Sequence, residues 1–129
     1  MNLRLRCAET GEVIVERLEV ADGIWTRFWG LQFRRELPSG AGLLLVPCSS
    51  VHTFFLRFAI DVLLLDRRGV VVALHRSVRP WRVVLPARGA YATLEVPAGS
   101  ANIAVGATLR LDAAEGPRSL SFLQPSEAS

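Results

Sequence analysis

The chain has 129 residues and no lysine, so its net charge of +3 comes entirely from arginine. Those arginines are scattered singly or in the pairs Arg34-Arg35 and Arg67-Arg68. A nucleic-acid groove shows a denser basic stripe, often with aromatic residues for stacking, so nucleic acid is not the expected partner. Cysteine is almost absent as well. With only Cys7 and Cys48 a disulfide framework is excluded, though one bridge is not. The longest apolar runs, GLLLVP and VLLL, are far too short to cross a bilayer as a helix. The first twenty residues hold neither an apolar h-region nor a small-residue cleavage site. The expectation is a cytoplasmic protein with both thiols reduced, monomeric or weakly dimeric. There is no P-loop, no G-x-G-x-x-G, no G-x-S-x-G elbow, no internal repeat and no low-complexity segment.

Half of the residues are apolar and 21% are charged, which is a globular composition. The length suits one domain, expected over residues 1–114 and followed by a flexible tail over 115–129 that is rich in Ser and Pro. Leu3, Leu5 and Cys7 alternate with arginines as a half-buried strand. VIVERLEV (13–20) reads as a second strand after a turn at Thr10-Gly11, with its alternation slipping near Glu16. Ile24, Trp25, Phe28, Trp29 and Leu31 then recur at spacings of three and four after a possible cap at Asp22. This predicts the one main helix, near residues 23–35, with its aromatics as packing surface and not as a cofactor box.

The rest reads as β. Strands are expected at 43–47, 51–66, 70–76, 91–97 and 107–111, with DRRG (66–69) turning the third back on the second as an antiparallel hairpin. RPWRVVLPARGA (79–90) carries two prolines and reads as an edge strand or ordered loop. The fold class is mostly β (α+β): a small antiparallel β-barrel-like or curled-sheet domain with one main helix.

The stretch PCSSVHTFFLRFAIDVLLLD (47–66) carries the candidate chemistry. Taken as one strand, it puts His52, Phe54, Leu56, Phe58, Ile60, Val62 and Leu64 on a core face. Thr53, Phe55, Arg57, Ala59 and Asp61 fall on the other face, as the wall of a wet groove. Arg57 and Asp61 would lie about 13 Å apart, too far to pair unless a bulge intervenes. His52 is expected to be buried and structural, with a backbone carbonyl, Asp61 or Glu95 as its partner. Glu95 lies among core-phase residues and is expected either to face solvent or to be buried against an arginine. Catalysis would need His52 as a base, Asp61 as its orienter, and Cys48 or a nearby serine as nucleophile, and nothing in the spacing fixes that geometry. His52, His75, Cys7 and Cys48 match no zinc pattern, and no cofactor or metal is expected.

HTFF with Asp61 following, RPWR, and LEVPAG (94–99) together resemble the domain-of-unknown-function family 192, small bacterial and archaeal proteins without an established activity. The resemblance covers about residues 20 to 111. It implies a compact β-barrel-like fold and sets Gly30, Leu31, Gly42, His52, Thr53, Phe54, Phe55, Asp61, Gly69, Pro80, Glu95, Ala98 and Gly99 on the family pattern. Members usually have asparagine where Ser49 stands and proline where Ala59 stands, the latter implying a bend before Asp61. The segment between Gly99 and Gly106 is shorter than usual, with Ala107 in place of a common aspartate, so a helix there should shrink to a turn. Many relatives carry a secretion signal. The expected function is a non-catalytic β-domain that binds a small molecule or peptide through His52, Thr53, Phe55, Arg57, Asp61 and Glu95. The alternatives are a hydrolase-like enzyme using His52 and Asp61, and an assembly module using an exposed strand edge.

Overall fold

The computed structural model describes residues 3–23, 36–54, 56–112 and 116–125. Ten strands fall in this order: β1 Leu5–Cys7, β2 Val13–Val15, β3 Arg17–Ala21, β4 Ala41–Leu45, β5 Val51–His52, β6 Ile60–Leu65, β7 Val71–Val78, β8 Val83–Val84, β9 Ala92–Pro97 and β10 Leu109–Leu111. A 3₁₀-helix follows over Arg118–Leu123. The helix expected near residues 23–35 lies outside the described residues.

The central sheet has five strands in the order β3-β4-β9-β6-β7. Its β3 and β4 run parallel, and its other neighbours are antiparallel. A three-stranded sheet, β10-β1-β2, and a two-stranded ribbon, β5-β8, complete the described β structure. The molecule is therefore a mainly-β small domain. The described sheets do not close into a barrel, so the barrel form of the expectation is replaced by stacked sheets.

Burial on both faces explains why β4 and β6 carry apolar residues at successive positions, with Asp61 the one charged exception in β6. Leu44, Leu63, Leu65, Leu94 and Val96 point to a first core shared with Leu5, Val15, Leu109 and Leu111 of the small sheet. Leu43, Leu45, Ile60, Val62 and Leu64 point the opposite way, to a second core that includes Leu56 and Val84 beside the ribbon. Within the segment expected to be a flexible tail, the 3₁₀-helix inserts Leu120 and Leu123, both fully buried, into the first core. Two apolar side chains three residues apart share one side of such a helix, and that spacing outweighs the Ser- and Pro-rich composition.

Several local readings hold. Gly11 takes the turn after β1 at φ 77°. The slip at Glu16 is a true break, with β2 ending at Val15 and β3 beginning at Arg17. Asp66 accepts the N–H groups of Arg68 and Val70, and Gly69 stands at φ 81°, closing the β6–β7 hairpin. The segment before Gly106 is a turn with no helix.

The long strand expected over 51–66 is broken. β5 stops at His52, and the described residues between it and Ile60, where β6 begins, lie outside any strand. The cause lies at Thr53: its N–H still meets the Arg82 carbonyl in register, but its carbonyl accepts from the Trp81 N–H, one residue out of register, and the ladder ends there. The parity of Ile60, Val62 and Leu64 against Asp61 survives because β6 starts a fresh alternation.

Candidate functional site

Thr53 is fully buried and grips the turn Arg79-Pro80-Trp81-Arg82. Its hydroxyl donates to the Arg79 carbonyl at 2.6 Å and accepts from the Arg82 N–H at 2.8 Å. Its carbonyl accepts from the Trp81 N–H at 3.0 Å, and its own N–H donates to the Arg82 carbonyl at 2.8 Å. The turn it holds is an unusual one. Pro80 followed by a residue at positive φ is the pattern of a type II turn, whose third position normally takes Gly or Asn. Here it is Trp81, at φ 66°. A bulky residue in that region costs on the order of 1–3 kcal/mol and persists only where its surroundings over-determine it. The four hydrogen bonds from Thr53 do so.

Trp81 is 58% exposed. Its ring stacks on Phe54 at a centroid distance of 5.6 Å, and Phe54 in turn lies 4.8 Å from the His52 imidazole. His52 is exposed, which corrects the expectation of a buried ring. Its Nδ1 accepts from the Phe54 N–H at 3.3 Å, leaving Nε2 on the outer side of the ring. The three rings form a tilted aromatic row on the outer face of the β5–β8 ribbon. Val83 and Leu85 extend it, at 59% and 71% exposure. Arg79, Arg82 and Arg57 are exposed nearby in sequence, and none makes an ion pair among the described residues. Between residues 67 and 94 the chain carries Arg67, Arg68, Arg76, Arg79, Arg82 and Arg88 and no Asp or Glu. The cationic character of this part of the surface is therefore not offset from within it.

Asp61 is not the wall of a wet groove. It is fully buried on the first-core face of β6. β7 carries one extra residue opposite it, because Ile60 pairs with Val78 while Val62 pairs with His75. This bulge turns Ser77 to φ 51°, and its N–H donates to Asp61 Oδ1 at 2.8 Å. Oδ2 accepts from the Gly99 N–H at 3.0 Å and the Ala101 N–H at 3.1 Å. Gly99 stands at φ 84°. From the other side, Arg76 donates to the carbonyls of Ala101 and Ile103. Asp61 and the PAG segment of LEVPAG are thus one structural unit, 38 residues apart in the chain. A carboxylate committed to three backbone donors has little capacity left to orient a histidine, and no bond joins it to His52 among the described residues.

Glu95 is buried at 5% exposure on the second-core face of β9, opposite Leu43 and Val62. Thr93 on the same face donates to the Cys48 carbonyl at 2.9 Å. Phe55 lies outside the described residues. Of the five expected ligand contacts that are described, His52 and Arg57 are exposed, and Thr53, Asp61 and Glu95 are buried. Sequence reasoning passed over Trp81, Phe54 and Arg82 as site residues. The available signal was a tryptophan flanked by arginines just after proline, a loop position where burial is not the default.

Cys7 and Cys48 are both free. The Cys48 thiol donates to the Ser50 carbonyl, and no bond brings it to His52 among the described residues. No group of three or more His, Cys, Asp or Glu side chains gathers as a metal set among the described residues. No described helix is long and apolar enough to cross a membrane.

Comparison with known proteins places these features in a family. A UPF0127 protein of Thermococcus sibiricus is 36% identical over 94 residues, which is 69% of this chain and 60% of that protein's length. A UPF0127 protein of Pyrococcus furiosus is 39% identical over 64% of this chain and 75% of its own. Among solved structures, a Sinorhizobium meliloti protein provisionally named a transcription regulator superposes with a TM-score of 0.71 at 21% identity, covering 84% of this chain and 91% of that one. A Novosphingobium aromaticivorans protein of unknown function gives the same TM-score and identity, covering 85% and 84%. These two likenesses speak for the fold alone. The family described as "Uncharacterized ACR" matches residues 6–111, and the chain belongs to it: the domain-of-unknown-function family 192.

Proposed function

We propose that this protein is a non-catalytic binding domain whose contact surface is the aromatic row His52, Phe54 and Trp81 on the β5–β8 ribbon. The observation that carries this reading is Trp81, 58% exposed and held at φ 66° by four hydrogen bonds from one buried threonine. Backbone strain retained at an exposed aromatic is an arrangement that stability alone would not favour, since glycine would fit the turn better. A flat indole face beside Arg79 and Arg82 suits a planar or anionic group on a small molecule or peptide. The free thiols accord with a reducing compartment. The transcription role in the name of the Sinorhizobium relative finds no support in a dense basic stripe here.

Trp81→Gly separates fold from function. It relieves the turn while removing the indole, so unfolding by denaturant should show stability retained within about 1 kcal/mol. In an NMR titration of the isotope-labelled chain against indole-3-acetate and benzoate, the wild type should shift the amides of residues 52–54, 79 and 81–84, and the variant should not. Shifts confined to other parts of the molecule would sink the proposal.

A further inference from the structure

Resting on that reading, we infer that the occupant of the ribbon surface is an extended acidic peptide that adds to the free side of β8 as a third strand. β8 pairs with β5 and with no other strand among the described residues. The bonds between Thr53 and Arg82 and the Val51–Val84 and His52–Val83 pairing set the ladder phase. In that phase the peptide groups of Val83 face away from β5, towards the side where no described strand lies. An unpaired edge of this kind is a template for a further strand, and main-chain bonds supply the affinity. Specificity would come from alternate side chains. Trp81, Val83 and Leu85 stand at every second position with more than half of each exposed, so outward-facing apolar residues of an added strand would lie beside them.

Charge chooses among occupants. A second copy of this chain, paired edge to edge, would bring Arg79, Arg82 and Arg88 of both copies together with no acid between residues 67 and 94 to offset them. Single-stranded nucleic acid could use the rings and the arginines but would leave the edge N–H and C=O groups of Val83 unanswered. A peptide backbone answers them, and Glu or Asp side chains answer the arginines.

The test uses the full chain and a blocked heptapeptide alternating glutamate and valine, with its lysine counterpart, a backbone N-methylated version and oligo(dT) as comparisons. Expected is saturable binding of the acidic peptide by calorimetry, weakened about tenfold or more by the N-methylated backbone, by Arg82→Glu and by Val83→Pro. The lysine peptide should bind at least about tenfold more weakly. Because N-methylation leaves the protein untouched, misfolding of a variant cannot mimic that result. If the acidic peptide binds and Trp81→Gly abolishes binding, while N-methylation and Val83→Pro change nothing, the aromatic surface stands and the added strand falls. Preference for oligo(dT), equal binding of the lysine peptide, or absence of peptide binding while indole-3-acetate still shifts Trp81, likewise overturns the acidic strand. Loss of all binding to this surface, small molecules included, overturns both readings.

Discussion

Thr53 and Asp61 show how two polar residues in an apolar stretch can be structural without being alike. Thr53 holds a strained turn at the surface, and its substitution should be felt there first. Thr53→Val keeps the shape but leaves the Arg82 N–H without its closest acceptor and the Arg79 carbonyl without its 2.6 Å donor. The expected loss is about 1–3 kcal/mol, measured by chemical denaturation, with hydrogen exchange of the Trp81 and Arg82 amides rising more than elsewhere. Asp61 acts in the interior. Asp61→Ala strands the N–H donors of Ser77, Gly99 and Ala101, of which the Ala101 bond is buried, and should cost about 2 kcal/mol or more. Asp61→Asn retains one oxygen and should cost less. A loss under 1 kcal/mol for the alanine variant would mean that the turn and bulge find other acceptors.

At the scale of elements, the seams between sheets are held by close packing and by surface charge. Gly69 sits where a Cβ would come within 2.7 Å of the Leu109 carbonyl, and its φ is 81°. Gly69→Ala therefore meets both a backbone clash and a disfavoured conformation, and a thermal melt should report about 2 kcal/mol or more of destabilisation. The β1–β10 seam carries Asp112, which receives Arg6 at 2.8 Å and Arg4 at 3.0 Å. The Arg6 hydrogen bond, aided by the charge of both arginines, lowers its carboxyl below the usual aspartate value. A folded-state pKa below the unfolded one gives stability that is present above the unfolded value and lost as pH falls through the folded one. Asp112→Asn should thus flatten the acid side of the stability profile and leave its alkaline side unchanged, with added salt shrinking the difference.

These elements also show what sequence can and cannot reveal. The 66–69 turn was legible because Asp66 and Gly69 act on backbone within four residues. The parity of β6 was legible because alternation is a local rule. The break after His52 was not, since the competing partner for Thr53 lies 29 residues on. The role of Asp61 was hidden for the same reason. Its three donors come from a bulge and a turn 16 to 40 residues away, so a buried carboxylate looked like one edge of a groove. His52 was misplaced because its side depended on a strand that does not continue.

At the scale of the whole molecule, the first core is closed from three directions: by the central sheet, by β10-β1-β2 and by the 3₁₀-helix. Leu120→Ala or Leu123→Ala should each cost about 2–5 kcal/mol in denaturant unfolding, against near-zero effects for a frayed segment. The closing of the small sheet has a further consequence, in time. β1 is the middle strand, and its partner β10 brings Leu111 to Leu5 across most of the chain. A nascent chain emerging at about 5–20 residues per second must therefore carry β1 with one side unsatisfied for roughly 5–20 s after it is made. During that interval the apolar face of the central sheet lacks its cover. Productive folding waits on the last strand, and a ribosome stalled before residue 109 should hold a chain that proteases cut and chaperones bind.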